Sequence, residues 1–524
     1  MVECLQDASL IAAKCVSAFL YTERIHIIHI YVVERLDYKT KYYSGGLIMA
    51  YNQVTPEIIA MLEKVVPGRV VVGDDVNPDY SRDEMPIYGT KMPSVSIDVL
   101  TTEEVSAIMK ICYEHTIPVT TRGAGTGLVG GAVPILGGVV LCTARMDKIL
   151  SFDMEHFGVV VQPGVLIQNL KDAALEKGLF YPPDPGQKLG TVGGNVSTNA
   201  GGMRAIKYGT TKDYVRGMTV VMPNGEIMKF GANVAKSSMG YNLAQLITGS
   251  EGTLGIITEL ILKVIKAPKF DVSVIVPFKD LATSLKCVPK IFMNNFRPTA
   301  IEFFERDMLL LSERYVGKEV WPKEVDGEEI QAYLLLIFDG DSMEEIEPHV
   351  ERIAEFLLGE EAMDVMIIDT PAQKKEIWDV RGAFLDCIFE MHTLFDENDV
   401  VVPINKIADF VAYFSKEAEK YDFDITYLGH AGDGNLHIFG VSNTMEEEEF
   451  KRQIHQWMVS MYDKAREMGG ELTGEHGVGY GKIDYFEEYV GRPRIDLHQK
   501  IKKAFDPKLI LNPGKVCFKL EELV

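Results

Sequence analysis

Cysteine is scarce and scattered: Cys4, Cys15, Cys112, Cys142, Cys287, Cys387 and Cys517 are the only ones among 524 residues, and no two form a CxxC pair. Clustered thiolates are what an iron–sulfur centre requires, so none is expected in this chain, and the usage is that of a reducing cytoplasm. Positive charge is also short. With 53 Lys and Arg against 76 Asp and Glu, the formal net charge is −23, which repels nucleic acid and anionic lipid surfaces. No apolar run reaches the roughly 18 residues of a membrane span, so any membrane attachment would need a partner. The composition that remains, 47% hydrophobic and 25% charged, is that of a globular chain. Its length exceeds what a single core supports and divides into two or three domains.

Residues 1–48 have a different texture. Residues 9–20 are apolar but too short for a span, and they lack the basic leader and small-residue cleavage site of a secretory signal. Gly45 and Gly46 stand just before Met49, and consecutive glycine codons can spell a purine-rich ribosome-binding sequence. The expectation is that the natural start is Met49 and that residues 1–48 are not part of the native protein; the alternative is a helix and strand extension.

Glycine is what the chain has in concentrated form. Residues 186–202 read GQKLGTVGGNVSTNAGG, residues 122–131 RGAGTGLVGG and residues 246–259 LITGSEGTLGIITE. In the first of these, small residues and short amides replace the apolar periodicity that packs helices and strands, so its backbone is expected to lie against something bulky and polar-edged. The run at residues 122–131 has neither the Gly-Lys-Ser/Thr of a P-loop nor the spacing of a Rossmann fingerprint. It is left as a loop whose bare amides can face a pyrophosphate.

Around these loops, residues 55–66 read as a helix with Thr55 as N-cap and Pro56 at its first position, residues 93–100 as a strand, and residues 101–115 as an amphipathic helix. After Pro268, strand–helix–strand patterns repeat over residues 271–369, predicting an antiparallel sheet with helices on one face.

Three glycine loops in this order, separated by strands, resemble FAD proteins of the vanillyl-alcohol-oxidase type, and from about residue 93 onward the chain is similar to the branch of D-lactate, glycolate and D-2-hydroxyglutarate dehydrogenases. The resemblance implies an α+β fold: a two-subdomain FAD-binding domain over residues 49–270, an α+β cap with an antiparallel sheet over 271–460, and a segment, 461–524, that returns to the FAD domain. It implies cofactor contacts from Arg122, Gly123, Ala124, Gly125, Thr126 and Gly127 in the first loop, and from Thr191, Gly194, Asn195, Ser197, Asn199 and Gly201 in the second. Gly249, Gly252, Ile256 and Ile257 follow in the third, and Asn512 in the closing Asn-Pro-Gly-Lys, otherwise a simple turn. Covalent members carry a histidine near the position of Ala124 or Thr126; none is present, so the FAD is expected to be non-covalent.

Residues 427–440 read YLGHAGDGNLHIFG, two β segments around a tight turn, which puts His430 and His437 on opposite arms of a hairpin, near enough to share an ion. Residues 469–481, GGELTGEHGVGYG, add Glu475 and His476. The resemblance implies that His430, His437 and Glu475 hold one divalent metal, zinc, iron or manganese, and that His476 faces the substrate as the base. Arg381 sits in a helical stretch, residues 376–389. Alone it reads as an arginine paired with a neighbouring acid; the resemblance makes it the clamp on a substrate carboxylate.

The reaction so implied is oxidation of a small 2-hydroxy acid by hydride transfer to FAD. In the 2-hydroxyglutarate branch an Asn stands two residues beyond the second metal histidine, where this chain has Phe439, and a Lys precedes the strand expected at residues 399–403, where it has Asp396, Glu397 and Asn398. D-lactate is therefore favoured, with glycolate or D-2-hydroxyglutarate as alternatives. An electron transfer flavoprotein is the expected electron acceptor. The rival classes are a non-redox FAD transferase on the same fold, which would need a phosphate site, and a flavin carrier without catalysis.

Overall fold

The computed structural model describes residues 51–523, so the expectations for residues 1–48 lie outside them. Residues 51–520 fall within one compact unit. Helix Pro56–Val65 starts where expected: the Thr55 side chain accepts the Ile58 amide and Pro56 occupies a position with no amide to satisfy. Strands Val70–Val72, Val95–Asp98, Val139–Cys142 and Val119–Arg122 form a four-stranded sheet in that order, the last three parallel. Helix Thr102–His115 lays Val105, Ile108, Met109 and Cys112 on the sheet's Ile97, Val119 and Leu141. Ile510 and Leu511 return from the end of the chain to the same core.

A second subdomain follows: five antiparallel strands in the order Ile149–Asp153, Gly158–Val161, Ile256–Lys263, Val215–Val221 and Ile227–Gly231. One element here departs from the sequence reading. The middle of the 186–202 stretch is not irregular backbone but a helix, Val192–Thr198, begun by the Thr191 side chain accepting the Gly194 amide and ended by Asn199 at φ 55°. Val192 and Val196, one turn apart, bury its inner side, and the small residues between them leave its outer side bare.

The cap is one seven-stranded sheet, ordered Met366–Ile368, Phe270–Phe278, Ala332–Gly340, Ala300–Glu305, Asp424–His430, Asn435–Ser442 and Leu394–Val401, every pairing antiparallel. The expectation of helices on one face is corrected. Helices Leu281–Met293, Met343–Gly359, Ile407–Ala418 and Glu447–Glu467 cover one face against Val272, Val274, Leu334 and Leu336, while helices Arg306–Val316, Pro371–Gly382 and Phe384–Met391 cover the other against Ile275, Tyr333 and Leu335. Strands apolar on both sides demand a cover on both sides.

Three boundaries also move. Helix Glu447–Glu467 runs through the division drawn after residue 460, and Leu472, Val478 and Ile483 still belong to the cap core. Residues 376–389 fall in two helices, interrupted at Ala383, with Arg381 in the last turn of the first. Asp396, Glu397 and Asn398 lie inside strand Leu394–Val401 rather than ahead of it. Among the described residues no helix is long and apolar enough to cross a membrane.

Candidate active site

A cavity of about 1210 Å³ opens between the glycine loops and the cap sheet. One wall is Arg122 to Gly127 with Thr191, Gly194, Asn195, Ser197, Gly252, Ile256, Ile257 and Asn512; the other carries Arg381, His430, His437, Glu475 and His476. Three of the assigned cofactor residues are not in the wall. Asn199 ends its helix and accepts the Lys212 amide, and the Gly249 amide donates to Val196. Gly201 faces Glu475 instead, where a Cβ would come within 2.9 Å of Oε2.

The loop wall suits a flat polar ligand. Asn195 Nδ2 is buried without a hydrogen-bond partner among the described residues, a donor in the wall of an open cavity. Asn512 lines the cavity too, but its amide is a staple: Oδ1 accepts the Thr121 amide at 2.9 Å and Nδ2 donates to the Glu251 carbonyl at 2.8 Å. Gly252 is wedged beside that staple at φ +66°, where a Cβ would meet Asn512 Nδ2 at 2.9 Å as well as the Thr121 hydroxyl. Gly252→Ala is expected to destabilise the fold by more than about 1 kcal/mol and to lower the flavin recovered per polypeptide. Thermal unfolding and visible absorbance measure the two effects, and a variant as yellow and as stable as wild type would refute the crowding.

The opposite wall is built by strand register. Glu302 pairs across from His430, and Leu428 across from His437, so the two imidazoles stand on adjoining strands with ring centroids 5.3 Å apart. His430 Nδ1 is 2.6 Å from Glu302 Oε1, and His437 Nδ1 is 2.9 Å from Glu397 Oε1. Their Nε2 atoms then point to Glu475 Oε1, at 3.6 and 3.3 Å. Those separations match donors each about 2 Å from one shared ion, and a carboxylate behind each imidazole is the usual support of a ligating histidine. A second triad, Glu397, His437 and His476, also gathers three possible donors, and its Glu397 Oε1 lies 2.9 Å from His437 Nδ1.

Charge leads to the same donor set. Glu302 is paired with the Arg381 guanidinium, Glu397, Asp399 and Glu475 lie against the imidazoles, and Lys482 also acts on Asp399; buried carboxylates require such compensation. Burial alone would lower the His437 pKa, yet Glu397 and Glu475 raise it to about 10; His430 is likewise held well above its ordinary value, against burial, by Glu302. Burial would raise Glu397, but His476 and His437 hold it at about 2. Two imidazolium protons or one divalent ion supply equal charge, so the residues present fit a dication.

His476 is fixed from behind. Asp399 Oδ2 accepts the amides of Gly474, Glu475 and His476 and the Thr473 hydroxyl, which pins the loop, while His476 Nδ1 lies 3.2 Å from Glu397 Oε2. Arg381 is paired with an acid, as the first reading of the sequence has it, though one distant in the chain. Its Nε donates to Glu302 Oε2 at 3.2 Å and Nη2 pairs with the same carboxylate, and the side chain still stands in the cavity wall. Phe439 and Glu397 line the cavity, whereas Asp396 accepts from the Tyr88 hydroxyl at 3.2 Å and, like Asn398, is not in the wall.

Glu302, Glu397 and Asp399 are the site residues that sequence reasoning missed. For Glu302 the available signal was a carboxylate in the otherwise apolar run AIEFF.

The cavity thus has glycine loops on one wall and a buried ion-pair cluster on the other. Residues 93–231 match the FAD binding domain family and residues 267–516 the C-terminal domain of FAD linked oxidases. The chain is 53% identical over 470 residues to the D-lactate dehydrogenase of Anaerostipes hadrus, covering 90% of this chain and 99% of that protein. It is 37% identical to the glycolate oxidase subunit GlcD of Bacillus subtilis (strain 168), covering 86% and 93%. Among solved structures, p-cresol methylhydroxylase shares the fold with a TM-score of 0.71 at 19% identity, over 89% of this chain and 97% of that one. The chain belongs to the FAD-linked oxidase family and is a D-lactate dehydrogenase-like enzyme of it.

Proposed function

We propose that the protein oxidises a small D-2-hydroxy acid, D-lactate to pyruvate in the first instance, and passes the electrons to a soluble acceptor such as an electron transfer flavoprotein in the cytoplasm. The observation that carries this is the convergence of His430, His437, Glu475, His476 and Arg381 on the cavity that the glycine loops line. FAD, held without a covalent link by the glycine loops, would supply two-electron acceptor chemistry for the α-hydrogen. A zinc, iron or manganese ion held by His430, His437 and Glu475 supplies Lewis acidity toward the substrate hydroxyl.

The chain's own residues do the rest. Arg381 holds the substrate carboxylate and so turns the α-hydrogen toward the loop wall. His476 takes the hydroxyl proton at Nε2, the nitrogen turned away from Glu397. Hydride and proton together account for the two hydrogens lost as the alcohol carbon becomes a ketone. Phe439 and Glu397 offer no partner for a second carboxylate, which favours lactate over 2-hydroxyglutarate.

Anaerobic titration of the purified protein with D-lactate, L-lactate, glycolate and D-2-hydroxyglutarate, with elemental analysis alongside, tests the proposal. D-lactate is expected to bleach the flavin most efficiently and L-lactate to leave it oxidised. Flavin that no hydroxy acid bleaches would sink the reading, and higher efficiency with D-2-hydroxyglutarate would sink the choice of substrate. Acid precipitation is expected to release the flavin into the supernatant.

A further inference from the structure

We infer that Glu302 and Glu397 are positioning residues that couple the ion site to the substrate clamp and to the proton acceptor respectively, an inference that rests on the reading just given. Glu302 is fully buried on the central strand Ala300–Glu305. Its Oε1 lies 2.6 Å from His430 Nδ1, and its Oε2 takes the Nε and Nη2 of Arg381. Glu397 makes a looser version of the device on the edge strand Leu394–Val401: Oε1 is 2.9 Å from His437 Nδ1, and Oε2 lies 3.2 Å from His476 Nδ1, an ion-pair contact without hydrogen-bond alignment. Each imidazole of the ion site thus presents Nε2 to Glu475 because its Nδ1 donates to a carboxylate. The second oxygen of Glu302 is hydrogen-bonded to Arg381, and that of Glu397 faces His476 at ion-pair distance; both of those side chains meet the substrate on the reading just given.

An amide cannot do both jobs. After Glu302→Gln, one end of the side chain accepts and the other only donates. If the oxygen faces Arg381, the NH2 faces His430 Nδ1 and drives its proton to Nε2, which closes that nitrogen to an ion. If the oxygen faces His430, the NH2 meets guanidinium donors and the clamp swings away. Glu397→Gln poses the same choice between His437 and His476.

The test uses purified holoenzyme. Flavin per polypeptide checks the fold, divalent metal retained against graded chelator gives the affinity, and KM and kcat are measured after metal is restored. Both variants are expected to lose about 10–100-fold in metal affinity. Glu302→Gln is expected to raise KM more than it lowers kcat, and Glu397→Gln to lower kcat more than it raises KM. Glu302→Asp keeps the buried charge, which protects the fold, but is one methylene too short to span both partners, and the same direction is expected of it.

Wild-type metal retention and kinetics in Glu302→Gln or Glu302→Asp would overturn the coupling, as would one identical KM and kcat pattern in the Glu302 and Glu397 variants, the mark of a merely structural role. A wild-type flavin that no hydroxy acid reduces defeats the functional reading alone, because metal retention in the variants still decides the ion half of the coupling. A wild type that retains no divalent ion overturns the coupling.

Discussion

His476→Gln is expected to slow flavin reduction by D-lactate about 10²–10⁴-fold, the range that positioned general bases contribute, while leaving flavin content, metal content and substrate affinity near their wild-type values. The separation follows from the geometry. The backbone of His476 is held by Asp399 through an amide that the substitution keeps, so the loop bearing Glu475 stays anchored. Arg381, bound to Glu302 on a different strand, still offers its guanidinium to the carboxylate. Only the proton acceptor is lost. Anaerobic stopped-flow reduction reads this directly, since the step observed is the bleaching of the flavin. A rate within a few-fold of wild type would remove His476 from its role, and a large rise in KM at constant rate would move it from proton transfer to binding.

How much of this was legible in the sequence depends on the range of the interaction that fixes each residue. The glycine loops could be placed on a cavity because a backbone bare of side chains is a local property of the sequence. The pair His430 and His437 could be read because one tight turn sets their separation. The helix Val192–Thr198 could not, since two valines among small residues give no helical period long enough to count. Helix cover on both faces of the cap was signalled by continuous apolar runs such as AYLLLIF, which alternation-based reading treats as one-sided.

The supporting carboxylates were the least legible. Glu302 reaches its imidazole across 128 residues of chain and its guanidinium across 79. In sequence, Glu397 and Asp399 look like solvent-facing strand acids, and only the packing of strand Leu394–Val401 beside Asn435–Ser442 brings them to His437. Charges that burial makes expensive are recognised by their partners, and those partners are distant.

On the proposed reading, removing the divalent ion is expected to cost about 10²–10³-fold in turnover, several kcal/mol of developing negative charge at the substrate oxygen going unstabilised, with the flavin still bound. The two losses are expected to separate because the two sets of residues stand on different walls of the cavity: the donors on the cap hairpin and the loop at Glu475, the glycine loops opposite. Chelation of the wild type, followed by addition of zinc, manganese or ferrous iron one at a time, measures the effect and identifies the effective ion. Glu475→Gln is the matching variant, since its amide keeps the contact with Gly201 but surrenders the charge that both Nε2 atoms face. It is expected to stay yellow, to lose metal, and to regain little activity when metal is added back. Chelated enzyme that reduces its flavin at the untreated rate would mean that the imidazoles and Glu475 serve only each other, and the carboxylates behind them would then compensate imidazolium charge and nothing more.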